Sequence, residues 1–201
     1  MKATKCIFSG LLALVVYSLP SLGWAADSPM GTVKQLIDSV RSYKPETSSL
    51  SDKERATNNQ VAKVVEDTLN VQDLAKRVLG PQWDKLKANE RQDFIQLMTS
   101  LFQKIGYPKS AEFFGDLQID FRKEQVNGSS AVVETVISHP KEGQVDIHYQ
   151  LRQVRGRWMI DDVLLDGVSL VMNVRSQMQQ VITKESYQGL VKRMREKLEE
   201  S

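Results

Sequence analysis

The chain has 201 residues, 27 basic and 25 acidic, for a formal net charge of +2, with one cysteine and two histidines. Charges this evenly balanced exclude the net basic footprint that nucleic-acid binding needs, so no nucleic acid is expected as a partner. A single cysteine excludes an internal disulfide and a thiolate metal cluster.

The first residues read as an export leader. Lys2 and Lys5 give a positive start, Ile7 to Leu19 is an apolar run, Pro20 ends it, and Gly23-Trp24-Ala25 supplies the small residues a signal peptidase reads. The run is shorter than the roughly 20 residues needed to cross a bilayer. Cleavage after Ala25 is therefore expected, with residues 1–25 the leader and 26–201 a single mature domain. Cys6 leaves with the leader, and without Lys2 and Lys5 the charges become 25 against 25. An exported chain without thiols points to the bacterial periplasm. The remaining length, about 176 residues, suffices for one domain burying roughly 70% of its surface.

In chain order, residues 30–44 predict a helix with Val33, Leu36, Ile37 and Val40 on one face. Pro45 to Ser51 is a polar connection. A second helix spans Asp52 to Leu69 with Val61, Val64, Val65 and Leu69 aligned, and a short third runs from Asp73 to Leu79, stopped by Gly80-Pro81. The fourth, Asn89 to Ile105, has the most continuous apolar stripe: Phe94, Leu97, Met98, Leu101, Phe102 and Ile105.

After Pro108 the period changes to two. Leu117, Ile119 and Phe121 alternate with polar residues, Asn127-Gly128 is a hairpin turn, and strands follow over Ala131 to Ser138, Gln144 to Val154 and Arg157 to Leu165. Two helices close the chain, from Leu170 to about Ile182 and from Ser186 to about Leu198. The expected class is α+β: a curved four-stranded antiparallel meander sheet packed with N-terminal and C-terminal helices.

Residues suited to catalysis are sparse. His148 lies on the polar parity of a strand whose other parity is Val145, Ile147, Tyr149 and Leu151, and His139 precedes Pro140 in a turn; neither has a spaced second histidine, so no metal is expected. Asp161, Asp162 and Asp166 form the tightest carboxylate cluster. They serve either as turn and ion-pair anchors, with Arg157 and Arg175 as partners, or as an acid–base pair. No nucleophile elbow or glycine-rich phosphate loop is present, and no cofactor is expected.

What remains is aliphatic surplus. The helix stripe named above is joined by Phe121, Val133, Ile147, Leu164 and Val168 in the strand region and by Leu170, Val174, Met178, Val181 and Ile182 at helical spacing. A packed core and a ligand cavity share this composition, so the residues alone leave both readings open.

Two sequence blocks bear on that choice. One is Trp158, Asp162, Asp166-Gly167-Val168-Ser169-Leu170 and Asn173-Val174-Arg175-Ser176-Gln177; the other is Asp73, Ala75, Leu79-Gly80 and Trp83, followed by Arg91, Phe94 and Tyr107. In order and separation they resemble the MlaC-like, toluene-tolerance family of periplasmic phospholipid-binding proteins. Val174 and Met178 stand where relatives often carry aromatics, and Gly106 interrupts the helix end before Tyr107.

The resemblance implies an apolar cavity between sheet and helices, NTF2-like in general shape. Its lipid-binding lining would come from Phe94, Leu97, Met98, Leu101, Phe102, Ile105, Phe121, Val133, Ile147, Leu164, Val168, Leu170, Val174 and Met178, with Lys104 and Arg175 at the headgroup rim. It implies a non-enzymatic, monomeric carrier of diacyl phospholipid with no headgroup preference. Its partners would be an inner-membrane ABC transporter with MCE domains and an outer-membrane lipoprotein–porin complex, and its role the maintenance of outer-membrane lipid asymmetry. Two rivals stand beside it. One is an NTF2-like enzyme with Asp161 or Asp162 as base and Tyr107 or Tyr149 as donor; the other is a periplasmic adaptor that binds a partner helix.

Overall fold

The structure is a computed structural model and describes residues 28–45, 49–115, 117–139 and 143–200. The leader with Cys6, the Pro140 turn and part of the Pro45–Ser51 connection lie outside the described residues, as does the side chain of His139.

Several helices start where nearby side chains supply acceptors for their free N–H groups. Helix α1, Pro29–Ser42, has Pro29 in its first turn and Ser28 accepting from the Gly31 N–H at 3.0 Å. Glu124, far along the chain, accepts from the Met30 N–H at 2.6 Å. Helix α2, Asp52–Thr68, begins with a capping box in which Ser51 and Glu54 satisfy each other's backbone N–H. Helix α3, Val71–Leu79, is capped by Asn70 and ends at Gly80. Pro81 does more than stop it: having no N–H to satisfy, it opens a further short helix, α4, Pro81–Lys85.

Helix α5, Ala88–Leu101, does not end before Tyr107. It widens into a π turn, Phe102–Gly106, and continues as helix α6, Tyr107–Phe114. Pro108 explains the widening: it cannot donate to the Lys104 carbonyl, and the Tyr107 N–H reaches back five residues to Phe102 instead. The expected interruption at Gly106 is thus a helical residue inside the π turn, with φ −64° and ψ −50°.

The sheet runs β1 (Ile119–Asn127), β2 (Ser130–His139), β3 (Gly143–Val154), β4 (Arg157–Leu165) and β5 (Val168–Ser169), in that spatial order and antiparallel throughout. It has five strands where four are expected. The additional β5 is two residues long and returns along β4 through Asp166 and Gly167, both at positive φ (46° and 80°).

Helix α7, Leu170–Glu199, fulfils the expectation of two C-terminal helices in one run, because Ser186 breaks it with φ 79° and ψ 172°. Its first arm precedes Ser186 and its second follows.

Three clusters make the interior. In the first, Val133 and Ile137 of β2, Val145, Ile147, Tyr149 and Leu151 of β3, and Trp158 and Ile160 of β4 pack under Val33 and Ile37 of α1. In the second, α3, α4, α5 and α7 close around Leu79, Phe94, Met98, Leu190 and Met194. The third joins α1, α2 and α6 through Val40, Tyr43, Val61, Val65 and Tyr107.

A bulge in β4 resets which side chains face this core. Gln150 pairs with Asp162 but Leu151 pairs with Ile160, leaving Asp161 as the additional residue. Side chains alternate along a strand, so one inserted residue exchanges the faces beyond it. Val163 opposite Tyr149 and Leu165 opposite Ile147 therefore point inward, whereas Leu164, opposite His148, points to the outer face.

Candidate functional site

The joint between β4, β5 and α7 is built by Asp162. Its Oδ1 accepts from the Val163 N–H at 2.8 Å and the Val171 N–H at 3.2 Å, and its Oδ2 accepts from Ser169 Oγ at 2.5 Å. Ser169 Oγ accepts in turn from the Met172 N–H at 3.0 Å. Two side chains thus serve the first turn of α7, where backbone N–H groups have no partner within the helix.

The other two acids also have structural partners. Asp166 Oδ1 accepts from the Asp146 N–H at 3.0 Å, and the Asp166 N–H donates to the Asp146 carbonyl at 2.9 Å. Asp161 and Asp73 hold Arg152 between them, each at 2.9 Å, while Arg77 reaches Asp73 at 3.0 Å and Asp161 at 3.5 Å. This pairing replaces the expected one: Arg157 instead meets Asp67 at 3.4 Å. The charge of Asp161, with that of Asp73 behind it, raises the Arg152 guanidinium above its ordinary range. The network ties α3 to β3 and β4.

The tyrosines of the enzymatic alternative sit in the interior. Tyr107 is 5% exposed, packs edge-on against Tyr43 at 5.7 Å between ring centroids, and burial pushes its hydroxyl pKa up to about 12. Burial pushes up Tyr149 as well, beneath α1 and beside Arg41.

The expected lining residues divide among the clusters. Phe94 and Met98 are buried between α3 and the second arm of α7; Leu97, Leu101, Phe102 and Met178 are half-buried around them. Phe102 also touches the third cluster, and Ile105 is half-buried in the π turn. Val133 and Ile147, both at 0% exposure, lie in the sheet cluster with half-buried Phe121, whose ring carries Lys34 Nζ at 4.9 Å. Leu164 faces away. Val168, Leu170 and Val174 are exposed, at 58%, 39% and 39%.

Neither of two surface clefts contains a sheet residue. One, about 470 Å³, lies among Asp73, Lys76, Trp83 and Arg91; the other, about 510 Å³, lies between α5 and the second arm of α7 over Phe94, Leu97 and Val191.

The two expected rim cations sit in different places. Lys104 Nζ donates to the Leu198 carbonyl at 2.6 Å, at the negative end of α7. Arg175 lies across Gly80, and Gln179, one turn on, donates to the Leu79 carbonyl at 2.7 Å. The Leu79-Gly80 corner and the Asn173–Gln177 block, about a hundred residues apart in sequence, are therefore in contact. Half-buried apolar residues outside the expected lining include Val163, Leu165, Val171 and Phe114. Val171 shared the helical spacing of Val174 and Met178 and was open to detection; Val163 and Leu165 depend on the bulge.

The first arm of α7 has the most uncovered apolar surface. All three buried residues of the helix, Tyr187, Leu190 and Met194, belong to the second arm. The first arm carries Leu170, Val171, Met172, Val174, Met178, Val181 and Ile182 with none of them buried. Four of the five exposed large hydrophobic residues among the described ones fall between 168 and 174.

A search of curated protein sequences finds no match. Seven solved chains are significantly similar. Among them is a phospholipid-binding protein from Ralstonia solanacearum, solved in complex with a phospholipid, which superposes with a TM-score of 0.68 at 14% identity, covering 88% of this chain and 97% of that one. At that identity the likeness establishes a shared fold. The family profile described as MlaC protein matches residues 32–196, most of the chain and both sequence blocks, and the protein belongs to the MlaC family.

Proposed function

We propose that the protein is a non-enzymatic carrier of phospholipid in the periplasm. The observation that carries this reading is the first arm of α7, an apolar helix left without one buried side chain. A helix of that composition needs a covering partner, because exposed apolar area costs about 25 cal/mol per Å². Family membership and the phospholipid held by the Ralstonia protein of the same fold support acyl chains as the cover.

The requirement on a carrier is quantitative. A diacyl lipid has on the order of 30 methylenes, each worth ~0.8 kcal/mol in water avoidance, so bare tails in water cost on the order of 25 kcal/mol. In this reading the tails lie along Leu170, Val174 and Met178, against Leu97, Leu101, Phe102 and Ile105, while the headgroup stays wet. These residues are half-buried or exposed. Phe94, buried in the same cluster as Leu97, Leu101, Phe102 and Met178, serves as the packed floor beneath them.

The mature protein is a monomer of one domain, 26–201, released by cleavage after Ala25. It collects or delivers lipid at an inner-membrane ABC transporter with MCE domains and at an outer-membrane lipoprotein–porin complex, so maintaining lipid asymmetry. The test is purification of the exported chain without detergent, followed by lipid extraction and mass spectrometry. About one phospholipid per chain is expected; a lipid-free protein that also takes none from phospholipid vesicles would refute the reading.

A further inference from the structure

One cation on the first arm of α7 has no partner among the described residues. Arg175 is half-buried, and its guanidinium is laid against Gly80: a Cβ at that glycine would stand 2.8 Å from Nη2, 3.0 Å from Cζ and 3.2 Å from Nε. A residue with a side chain would displace the fork, and the φ of 52° at Gly80 disfavours one independently. The other four half-buried arginines, Arg41, Arg77, Arg91 and Arg152, each donate to a carboxylate or a backbone carbonyl. Arg175 has neither an ion pair nor a hydrogen bond with the described residues. The nearby Leu79 carbonyl is taken by Gln179 at 2.7 Å.

A guanidinium held half out of water with its donors unspent is costly to leave unfilled and ready to accept a ligand. Its planar fork matches two oxygens of a phosphate, and the backing at Gly80 holds it in place before binding. We infer that Arg175 is the phosphate ligand of the carried lipid, gripping the phosphodiester while the tails run along Leu170 and Val174 of the same arm. The inference rests on the carrier reading and adds a preference to it: the site selects lipids that carry a phosphate, whatever lies beyond it.

The test presents the delipidated, full-length mature protein with equal amounts of dioleoyl phosphatidic acid and dioleoylglycerol on cyclodextrin, and measures the bound ratio by mass spectrometry. The wild type is expected to favour the phosphatidic acid by roughly tenfold or more, the range of a charge-assisted bidentate contact. Arg175→Gln should bring the ratio near one while dioleoylglycerol uptake stays at the wild-type level. Arg175→Lys, which keeps the charge but not the fork, should fall between. An unchanged ratio in Arg175→Gln overturns the inference. So does equal loss of both lipids, which would mean that Arg175 acts by packing on Gly80. Uptake of neither lipid by the wild type overturns the carrier reading and this inference with it. Inorganic phosphate is titrated calorimetrically into the same delipidated protein; Arg175-dependent binding there, without a lipid preference, would assign the site to free phosphate.

Discussion

Asp162 and Ser169 lie across the β4–β5 turn with Ser169 Oγ donating to Asp162 Oδ2 at 2.5 Å, and together they satisfy the backbone N–H groups of Val171 and Met172. The carboxylate thereby fixes where the apolar first arm of α7 leaves the sheet. Asp162→Ala should cost about 1–3 kcal/mol, the combined worth of a helix cap and a charged acceptor. Asp162→Asn, which keeps one acceptor, should cost less. Urea denaturation of both variants checks the order; equal stability to wild type would remove the anchoring role.

Ser186 occupies a backbone region, φ 79° and ψ 172°, that is almost confined to glycine. Ser186→Gly should therefore stabilise the fold by on the order of 1 kcal/mol, even after the higher chain entropy of glycine. The weak cap from Ser186 Oγ to the Gly189 N–H, at 3.4 Å, offsets little of this. A lower melting temperature in the glycine variant would contradict the strain.

Arg152 bridges Asp73 and Asp161 at 2.9 Å each, with side chains 43%, 29% and 31% exposed. Partial exposure tempers the pairing, so a double-mutant cycle of Arg152→Ala with Asp161→Ala should give a coupling of about 1 kcal/mol. The coupling should shrink as salt rises from low to molar concentration. No coupling at low salt would mean that α3 is held to the sheet by apolar packing alone.

Burial lifts the Tyr107 hydroxyl from 10.0 to about 12. The neutral form is favoured in the folded chain, so this contribution is complete below pH 10 and is lost as pH rises through about 12. Tyr149 and Tyr187 are shifted the same way and for the same first cause. Stability should accordingly fall through this alkaline window, and Tyr107→Phe should flatten part of the decline. An identical pH profile for the variant in guanidinium titrations would show that Tyr107 does not contribute.

Val174, 39% exposed, and Leu101, half-buried, tolerate a larger polar side chain better than a core position would. Val174→Arg and Leu101→Arg should leave a folded protein that no longer retains phospholipid through gel filtration. A folded variant that still carries about one lipid per chain would move the acyl chains away from this arm.

Much of the element order was legible because it rests on neighbours in sequence. Ser51 with Glu54, Asn70, Ser169 and the Arg155-Gly156 turn are local devices, and β4 spans Arg157–Leu165 as its alternation predicts. The break at Ser186 likewise falls where the second C-terminal helix is expected to begin. What escaped depended on partners far away or on a single misplaced residue. Strict alternation from Trp158 would put Leu164 inward, yet the bulge at Asp161 hands that face to Val163 and Leu165. Pro108 reads as a helix stop, but a π turn carries the chain past it. Lys104, read as a rim cation, is spent on Leu198, ninety-four residues away.

The sequence by itself determined the α+β class, the strand that passes into a helix at residues 157–170 and the two-block signature, since each follows from periodicity, capping or residue order within a short span. Tertiary structure alone decided which apolar residues are spent and which are left uncovered. It left 0% of the surface of Phe94, Val133 and Ile147 exposed while leaving the arm beginning at Leu170 open. Burial is a property of packing between distant segments, and composition, which is the same for a core and for a lipid-binding face, carries no record of it.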